Sequence, residues 1–364
     1  MMKITIVAGA RPNIMKVAPI IAAIQNAIKD GKEISYRLVH TGQHYDKNMS
    51  DTFFAQLGVP NPDINLKCGG GTQAEQTANI MIKFEEDLIN FPPTLVLVVG
   101  DVTSTMACAI TAKKMGIDVV HVEAGIRSGD RTMPEEINRL ITDAITDVFF
   151  TTSETANQHL LNAGIESEKI HFVGNTMIDT LLLNEPRFVA PEIWHTENLK
   201  PGAYIVITLH RPSNVDGEQY LQQVLAEIMK NSNGLPVIFP VHPRTAQKLA
   251  AFELLYSNLH FTEPLGYLEF NYLVKYAKIV LTDSGGITEE TTVLGVPCIT
   301  LRNSTERPET VTEGTNELIG NEPSQIKVYM DKLFAGSWKK GKIPALWDGN
   351  TAPRIINILL SLYA

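Results

Sequence analysis

The chain has 364 residues, 44% hydrophobic and 20% charged, the balance of a soluble globular protein with enough apolar material for two cores. Its formal net charge is -9, and its basic residues do not cluster with interleaved aromatics, so nucleic acid is not an expected partner. The three cysteines, Cys68, Cys108 and Cys298, form no CxxC pair, which argues against a zinc site or a disulfide framework and fits a reducing compartment. No run approaches the ~18 apolar residues that span a bilayer, and MMKITIVAGARP reads as a first buried strand, not as a signal peptide. The cytoplasm is the expected address.

Strand-like and helix-like segments alternate along the whole chain. In the first half, strands are expected at Ile4–Ala8, Ser35–His40, Leu95–Val99, Val119–Val122, Val148–Thr151 and His171–Val173. They are short, rich in Val and Ile and non-alternating, as parallel strands buried on both faces are. Between them the helical period predicts Pro12–Ile28, Gln73–Ile89, Thr103–Met115, Pro134–Ile145 and Thr155–Ala163. The second half repeats the style. Strands are expected at Tyr204–Leu209, Val237–Val241, Leu259–Thr262, Ile279–Thr282 and Cys298–Leu301. The matching helices are Glu218–Lys230, Thr245–Tyr256, Tyr267–Tyr276, Gly286–Leu294 and Ser324–Leu333. Such βαβα alternation implies two Rossmann-like, doubly wound parallel-sheet α/β domains. Periodicity fades between Asp179 and Lys200, near Pro186, Pro191 and Pro201, so the domains are expected at 1–185 and 186–349. The last helix, Ala352–Leu362, fits either domain; with its flanks, 350–364, it is grouped with the first.

Ligands of doubly wound sheets bind beyond the carboxyl ends of the strands, so the strand-end residues matter most. After the first strand comes Gly9-Ala10-Arg11-Pro12-Asn13-Ile14-Met15-Lys16. A proline-started helix offers its amides and positive dipole end to an anion. Arg11 and Lys16 add full charges that suit a diphosphate, or are plain surface charges. After the third strand, Gly100-Asp101-Val102-Thr103-Ser104 places Asp101 either as a helix cap or as a working carboxylate. After the fourth, His121-Val122-Glu123-Ala124-Gly125-Ile126-Arg127 carries a Glu that is expensive to bury unless it is functional or paired, with Arg127 as the available partner. Glu135 and Arg139 stand four apart on the helix that starts at Pro134, close enough to be simple neighbours on one face.

In the second half, Leu209-His210-Arg211-Pro212 offers His210 as an acid or base near neutral pH, or as a strand-end His satisfied by the backbone. Val241-His242-Pro243-Arg244 repeats the pattern. Thr282-Asp283-Ser284-Gly285-Gly286 is the strongest phosphate signal. The strand ends, two glycines permit close backbone approach and a helix begins, although Asp283 or Ser284 could be a plain N-cap. Glu290, about one turn in, would suit a ribose diol. Gly69-Gly70-Gly71-Thr72-Gln73-Ala74 matches G-x-G-x-x-A. The segment before it, Pro62–Cys68, is a poor buried strand, so this is read as a flexible loop and not as a dinucleotide site.

Taken together, the segments GARPNIMKVAP, GQH, GDVTST, HVEAGIRSGD, PEEINR, GNTMID, HRPSN, PVHPR, LTDSGGITEE and TERPETVTEGTN resemble the non-hydrolysing UDP-N-acetylglucosamine 2-epimerase family. The match runs from residue 9 to residue 316. The resemblance implies a glycosyltransferase-B type fold with the active site in the interdomain cleft, and a homodimer that needs no cofactor and no metal. It also implies reversible conversion of UDP-N-acetylglucosamine to UDP-N-acetylmannosamine to supply surface polysaccharide. It gives Asp101, Glu123, Glu135 and His210 catalytic positions. It gives Arg11, Lys16, Phe270, Ser284, Gly285, Gly286, Glu290 and Arg307 substrate-binding positions, and Arg139 and His242 are further substrate-binding candidates. Two positions depart from the family. Asn13 stands where many members carry Glu, and Tyr45-Asp46 follow Gln43-His44, unlike members in which substrate is also an activator. Relatives also act on related UDP-sugars, including 2,3-diacetamido uronic acids.

The activity so implied must exchange a C2 proton that no carbonyl acidifies. Elimination of UDP to a glycal, followed by re-addition, achieves this without a redox cofactor. It needs carboxylates near C2 and cations and amides around the departing diphosphate. Other readings are a hydrolysing epimerase, a UDP-dependent glycosyltransferase and a non-enzymatic nucleotide-sugar sensor.

Overall fold

The computed structural model describes residues 1–43, 54–215, 217–241, 249 and 256–363. The chain divides into two compact units, Met1–Leu183 with Ala345–Ala364, and Asn184–Pro344.

The first unit is built on seven strands: β1 (Met2–Ala8), β2 (Ile34–His40), β3 (Ile64–Asn65), β4 (Leu95–Val99), β5 (Asp118–Val122), β6 (Val148–Thr151) and β7 (Ile170–Phe172). Their order in the sheet is β3-β2-β1-β4-β5-β6-β7, and every pairing is parallel. The central strands are sealed on both faces, so Val96, Leu97 and Val98 are fully buried, each contributing roughly 1.5–3 kcal/mol of burial. That double burial explains why these strands read as unbroken apolar runs. β3, within the segment Pro62–Cys68 expected to be a poor buried strand, is only two residues long and half-buried, and pairs with Val39 and His40 of β2. The Gly69–Gly71 stretch ends at Thr72, whose hydroxyl caps the helix Gln73–Asn90 in a reciprocal box with Glu75.

Among the described residues the second unit has six strands: β8 (Ile205–Thr208), β9 (Val237–Pro240), β10 (Leu259–Thr262), β11 (Ile279–Thr282), β12 (Cys298–Thr300) and β13 (Asn316–Leu318). Their order is β10-β9-β8-β11-β12-β13, again all parallel. Both sheets therefore share one winding, in which the strand order reverses between the unit's first and fourth strands. In sheets of this kind that reversal opens a crevice at the carboxyl edge. The first unit's crevice lies between the ends of β1 and β4, and the second's between the ends of β8 and β11. The helix expected over 245–256 falls almost entirely on residues outside the described set.

The C-terminal helix Thr351–Tyr363 returns to the first unit, and Asp179 fixes its start. Its carboxylate accepts from the amides of Thr351 at 3.1 Å and Ala352 at 2.7 Å, capping a helix 172 residues away in sequence. Among the described residues no helix is long and apolar enough to cross a membrane.

Candidate active site

The first unit's crevice is held open by Asn13. Its side-chain oxygen accepts from the amides of Gly9 (3.2 Å) and Ala10 (3.0 Å), while its amide group donates to the carbonyl of Val99 (3.1 Å). One buried side chain thus ties the loop after β1 to the last carbonyl of β4. A carboxylate at this position could not donate to Val99, so the departure at Asn13 supplies a structural bond.

Lys16, one turn further on, reaches the carboxylate of Glu123, and the two form a nearly buried ion pair. This corrects the pairing of Glu123 with Arg127, which instead meets Asp143 at 2.6 Å. Glu123 sits at the end of β5 with φ at +69°, a left-handed conformation that costs a non-glycine residue on the order of 1–3 kcal/mol. A buried acid in strained backbone at a strand end is the strongest functional signal in this unit. Gly100 borders the same space. Its φ is +67°, and a Cβ there would lie 2.9 Å from Lys16 Nζ and 3.4 Å from Glu123 Oε2.

Asp101 does not cap the helix that follows it. The N-cap is Val102, which makes no side-chain cap bond. The amide and hydroxyl of Ser104 both donate to Gln43 Oε1, at 3.0 and 2.7 Å. Asp101 instead accepts on one oxygen, Oδ2, from Arg139 Nε at 3.0 Å and Nη2 at 2.6 Å, a charge-assisted contact that anchors the carboxylate.

The helix Pro134–Ile145 carries two adjacent acids with different surroundings. Glu136 is buried and accepts from the amides of Ser128 and Gly129 and from Arg139. Burial would raise its proton affinity, but these bonds outweigh it and hold the carboxyl below its ordinary range. Glu135 is exposed at the helix start, so it is the one that can meet a ligand. Arg11 opens the helix Arg11–Lys29 and is half-buried.

In the second unit, His210 follows β8 with its side chain 64% exposed. Its Nδ1 lies 2.6 Å from the fully buried Asp283. Asp283 also accepts from the amides of His210 (3.0 Å) and Arg211 (2.9 Å) and from Asn214 (2.9 Å). Burial would raise its proton affinity, yet these donors keep it below the usual carboxylate range. Asp283 is therefore the orienting partner of His210 and not the cap of the next helix, and its role was not legible from its place in the motif.

Ser284 holds the N-cap position of the helix Gly285–Leu294 without a side-chain cap bond. The amides of Gly285 and Gly286 head the helix and have no intrahelical acceptor. They and the dipole make an anion cradle. Arg302, which the sequence reading missed, lies beside it: its Nη1 is 4.0 Å from where a Cβ on Gly285 would sit. Arg302 is held by a forked bond to Glu306, at 2.7 Å on both arms, and its own position after β12 is the signal that could have found it.

Glu290 is buried deeper in that helix and accepts from Tyr267 at 3.1 Å; burial pushes its carboxyl up to about 7. Arg307 pairs with the buried Glu289, and Phe270 packs on an apolar cluster with Tyr204, Leu273 and Val274. His242 lies outside the described residues, as do His44, Tyr45 and Asp46. Among the described residues no group of three or more His, Cys, Asp or Glu is gathered to hold a metal ion.

The chain as a whole is similar to known proteins. The family model described as UDP-N-acetylglucosamine 2-epimerase matches residues 26–360. The chain belongs to that family. The family consists of isomerases, and this chain is one of them. The UDP-N-acetylglucosamine 2-epimerase of Methanocaldococcus jannaschii is 41% identical over 98% of this chain and 99% of its own. Its crystal structure, in complex with UDP-N-acetylglucosamine and UDP, superposes with a TM-score of 0.86 over 99% of this chain and 100% of that one. The Neisseria meningitidis enzyme bound to UDP-N-acetylglucosamine is 31% identical, with a TM-score of 0.88 over 99% of this chain and 100% of that one. A Pseudomonas aeruginosa UDP-2,3-diacetamido-2,3-dideoxy-D-glucuronate 2-epimerase is 38% identical over 88% of both chains. The glycosyltransferase-B type fold expected from the sequence is the fold these neighbours share.

Proposed function

We propose that the protein interconverts UDP-N-acetylglucosamine and UDP-N-acetylmannosamine without a cofactor, by eliminating UDP to a glycal and adding it back. The observation that carries this reading is Glu123, a buried acid in left-handed backbone, set against Lys16 beside Asp101 and its clamp Arg139. One carboxylate takes the C2 proton as the C1–O bond breaks, its electrons passing to UDP and a C1=C2 double bond forming. UDP then returns to C1 while a second acid delivers a proton to the other face of C2. Asp101, Glu123 and Glu135 supply these groups.

The departing diphosphate is met by Arg11, Lys16, Arg139, His242 and His210 and by the amides of Ser284, Gly285 and Gly286. His210, oriented by Asp283, donates to it as charge develops. Phe270, Glu290 and Arg307 hold the nucleoside end. Water must be kept from the glycal while it waits. The family likeness supports reading the protein further as a cytoplasmic homodimer that supplies surface-polysaccharide precursors. A 2,3-diacetamido uronic acid substrate is the second reading, favoured by the Pseudomonas aeruginosa relative.

The test is incubation of the pure protein with UDP-N-acetylglucosamine in D2O, followed by proton NMR. Deuterium at C2 together with UDP-N-acetylmannosamine is the expected result. Free N-acetylmannosamine plus UDP would mean hydrolysis. An unchanged sugar would reject this substrate, and the UDP-diacetamido uronic acid would be tried next.

A further inference from the structure

His121 and Asp143 take no part in the chemistry proposed above, yet they form an enclosed polar cluster in the first unit. His121 stands on β5, two residues before Glu123, and is fully buried. Its Nδ1 lies 2.7 Å from Asp143 Oδ1 and its Nε2 lies 2.8 Å from the carbonyl oxygen of Gly100. The second oxygen of Asp143 accepts from the Gly125 amide at 3.1 Å and from Arg127 at 2.6 Å. From the next helix, His159 donates through Nδ1 to the Gly125 carbonyl at 2.8 Å.

The donors and acceptors of this cluster can be counted. A carbonyl oxygen only accepts, so Nε2 of His121 carries a proton. Asp143 already takes Arg127 and a backbone amide on its other oxygen. Burial raises its proton affinity, but the guanidinium of Arg127 at 2.6 Å and the Gly125 amide hold that oxygen as an ionised acceptor. Nδ1 of His121 therefore carries a proton as well.

The cluster also touches every segment that aims the acids. Gly100 immediately precedes Asp101. Gly125 follows Glu123 by two residues, and its φ of +77° leaves no room for a side chain: a Cβ there would lie 2.4 Å from the carbonyl oxygen of Ala156. Asp143 lies one turn beyond Arg139, which clamps Asp101, and both are on the helix that presents Glu135.

We propose that His121 and Asp143 are positioning residues, with His121 a buried imidazolium that bridges the Gly100 carbonyl to Asp143 and so fixes Asp101 and Glu123 together. The role given to those two acids rests on the epimerase reading; the charge state of His121 does not.

Two measurements separate these. In protein labelled with 15N at its histidines, long-range 1H–15N spectra at pH 7.5 should show both ring nitrogens of His121 protonated, with the signals assigned by their loss in His121→Gln. In Asp143→Asn the same ring should carry one proton, because an amide can donate to Nδ1. This second variant also gives the assignment if the first does not fold. In the activity arm, His121→Gln should lower kcat about 100-fold per folded molecule with KM within about 3-fold, since displacing a reacting group by about an ångström has that effect. A role confined to stability would lower the folded fraction and leave kcat per folded molecule unchanged. A single ring proton on His121 in the parent protein, or an unchanged kcat in a folded His121→Gln, would overturn the proposal. If no epimerisation is seen at all, the spectra still decide the charge state.

Discussion

The two units share one sheet winding and load it differently. In the first, the crevice is furnished by side chains: Lys16 against Glu123, Arg139 against Asp101, and Asn13 stitching β1 to β4. Strained backbone at Glu123 belongs to the same group. In the second, the crevice is furnished largely by backbone: the leading amides of the Gly285–Leu294 helix, with one exposed histidine held by one buried aspartate. Winding alone therefore does not set chemistry. Paired charges with fixed geometry suit proton transfer, while a ring of amides suits an anion whose charge must be spread.

That contrast is broken most severely by Glu123→Gln. The change keeps the shape, removes the carboxylate and leaves Lys16 facing an amide. We expect kcat to fall by about 10²–10⁴-fold, the range for losing a general acid or base. UDP affinity by calorimetry should stay within about 3-fold, because the change leaves in place the cations and amides proposed to meet the diphosphate. A 100-fold loss of UDP affinity instead would mean that Glu123 organises the phosphate site, and the division of labour would be wrong.

The second unit is probed by His210→Asn and Asp283→Asn. If Asp283 acts by orienting His210, each variant should lower kcat to a similar level, about 100-fold, and the double variant should be no worse than either alone. Asp283→Asn should also destabilise the protein by about 1–3 kcal/mol, because its buried oxygens take amides from His210 and Arg211 as well as Asn214. His210→Asn should not, as that side chain is mostly exposed. Additive losses in the double variant would separate the two residues.

How much of this was legible follows from what makes each feature. The Val- and Ile-rich strands announced themselves because both of their faces are buried. β13 did not: Asn316–Leu318 is short and polar, and pairs on one side only, with β12. β3 was hidden for the same reason. The helix Thr176–Asn184 went unread because it lies where periodicity fades toward the unit boundary, although Asn175 closes its start locally by accepting from the Met177 amide. At the site, positions were legible and partnerships were not. Glu123 and Asp101 could be placed at strand ends from pattern alone. That Lys16 meets the first and Arg139 the second depends on the crossovers bringing segments from far along the chain to one sheet edge. The same holds for Gln43, 61 residues from the helix start it caps. Glu135 and Glu136 are indistinguishable in sequence, and the Ser128–Gly129 loop separates them by claiming Glu136.

The smallest expected effect tests whether the second unit tolerates unpaired charge away from its cradle. Glu309 is buried, and neither carboxylate oxygen has a hydrogen-bond partner among the described residues. Burial, only partly offset by Arg307, pushes its carboxyl up to about 7. In the unfolded chain the same group ionises near 4.5. Between these values the folded state holds the extra proton, so stability falls as pH rises from about 4.5 to about 7, and the deficit is complete above that. Glu290 behaves alike, its carboxyl also being near 7, so one substitution removes only part of the slope. Glu309→Gln abolishes its own share. Relative to the parent protein it should gain about 1–3 kcal/mol on going from pH 5 to pH 8. Thermal unfolding of both chains at the two pH values measures that difference, with any packing cost of the amide cancelling between them. A gap that does not change with pH would mean that Glu309 is already ionised at pH 5 and has a cation partner in solution.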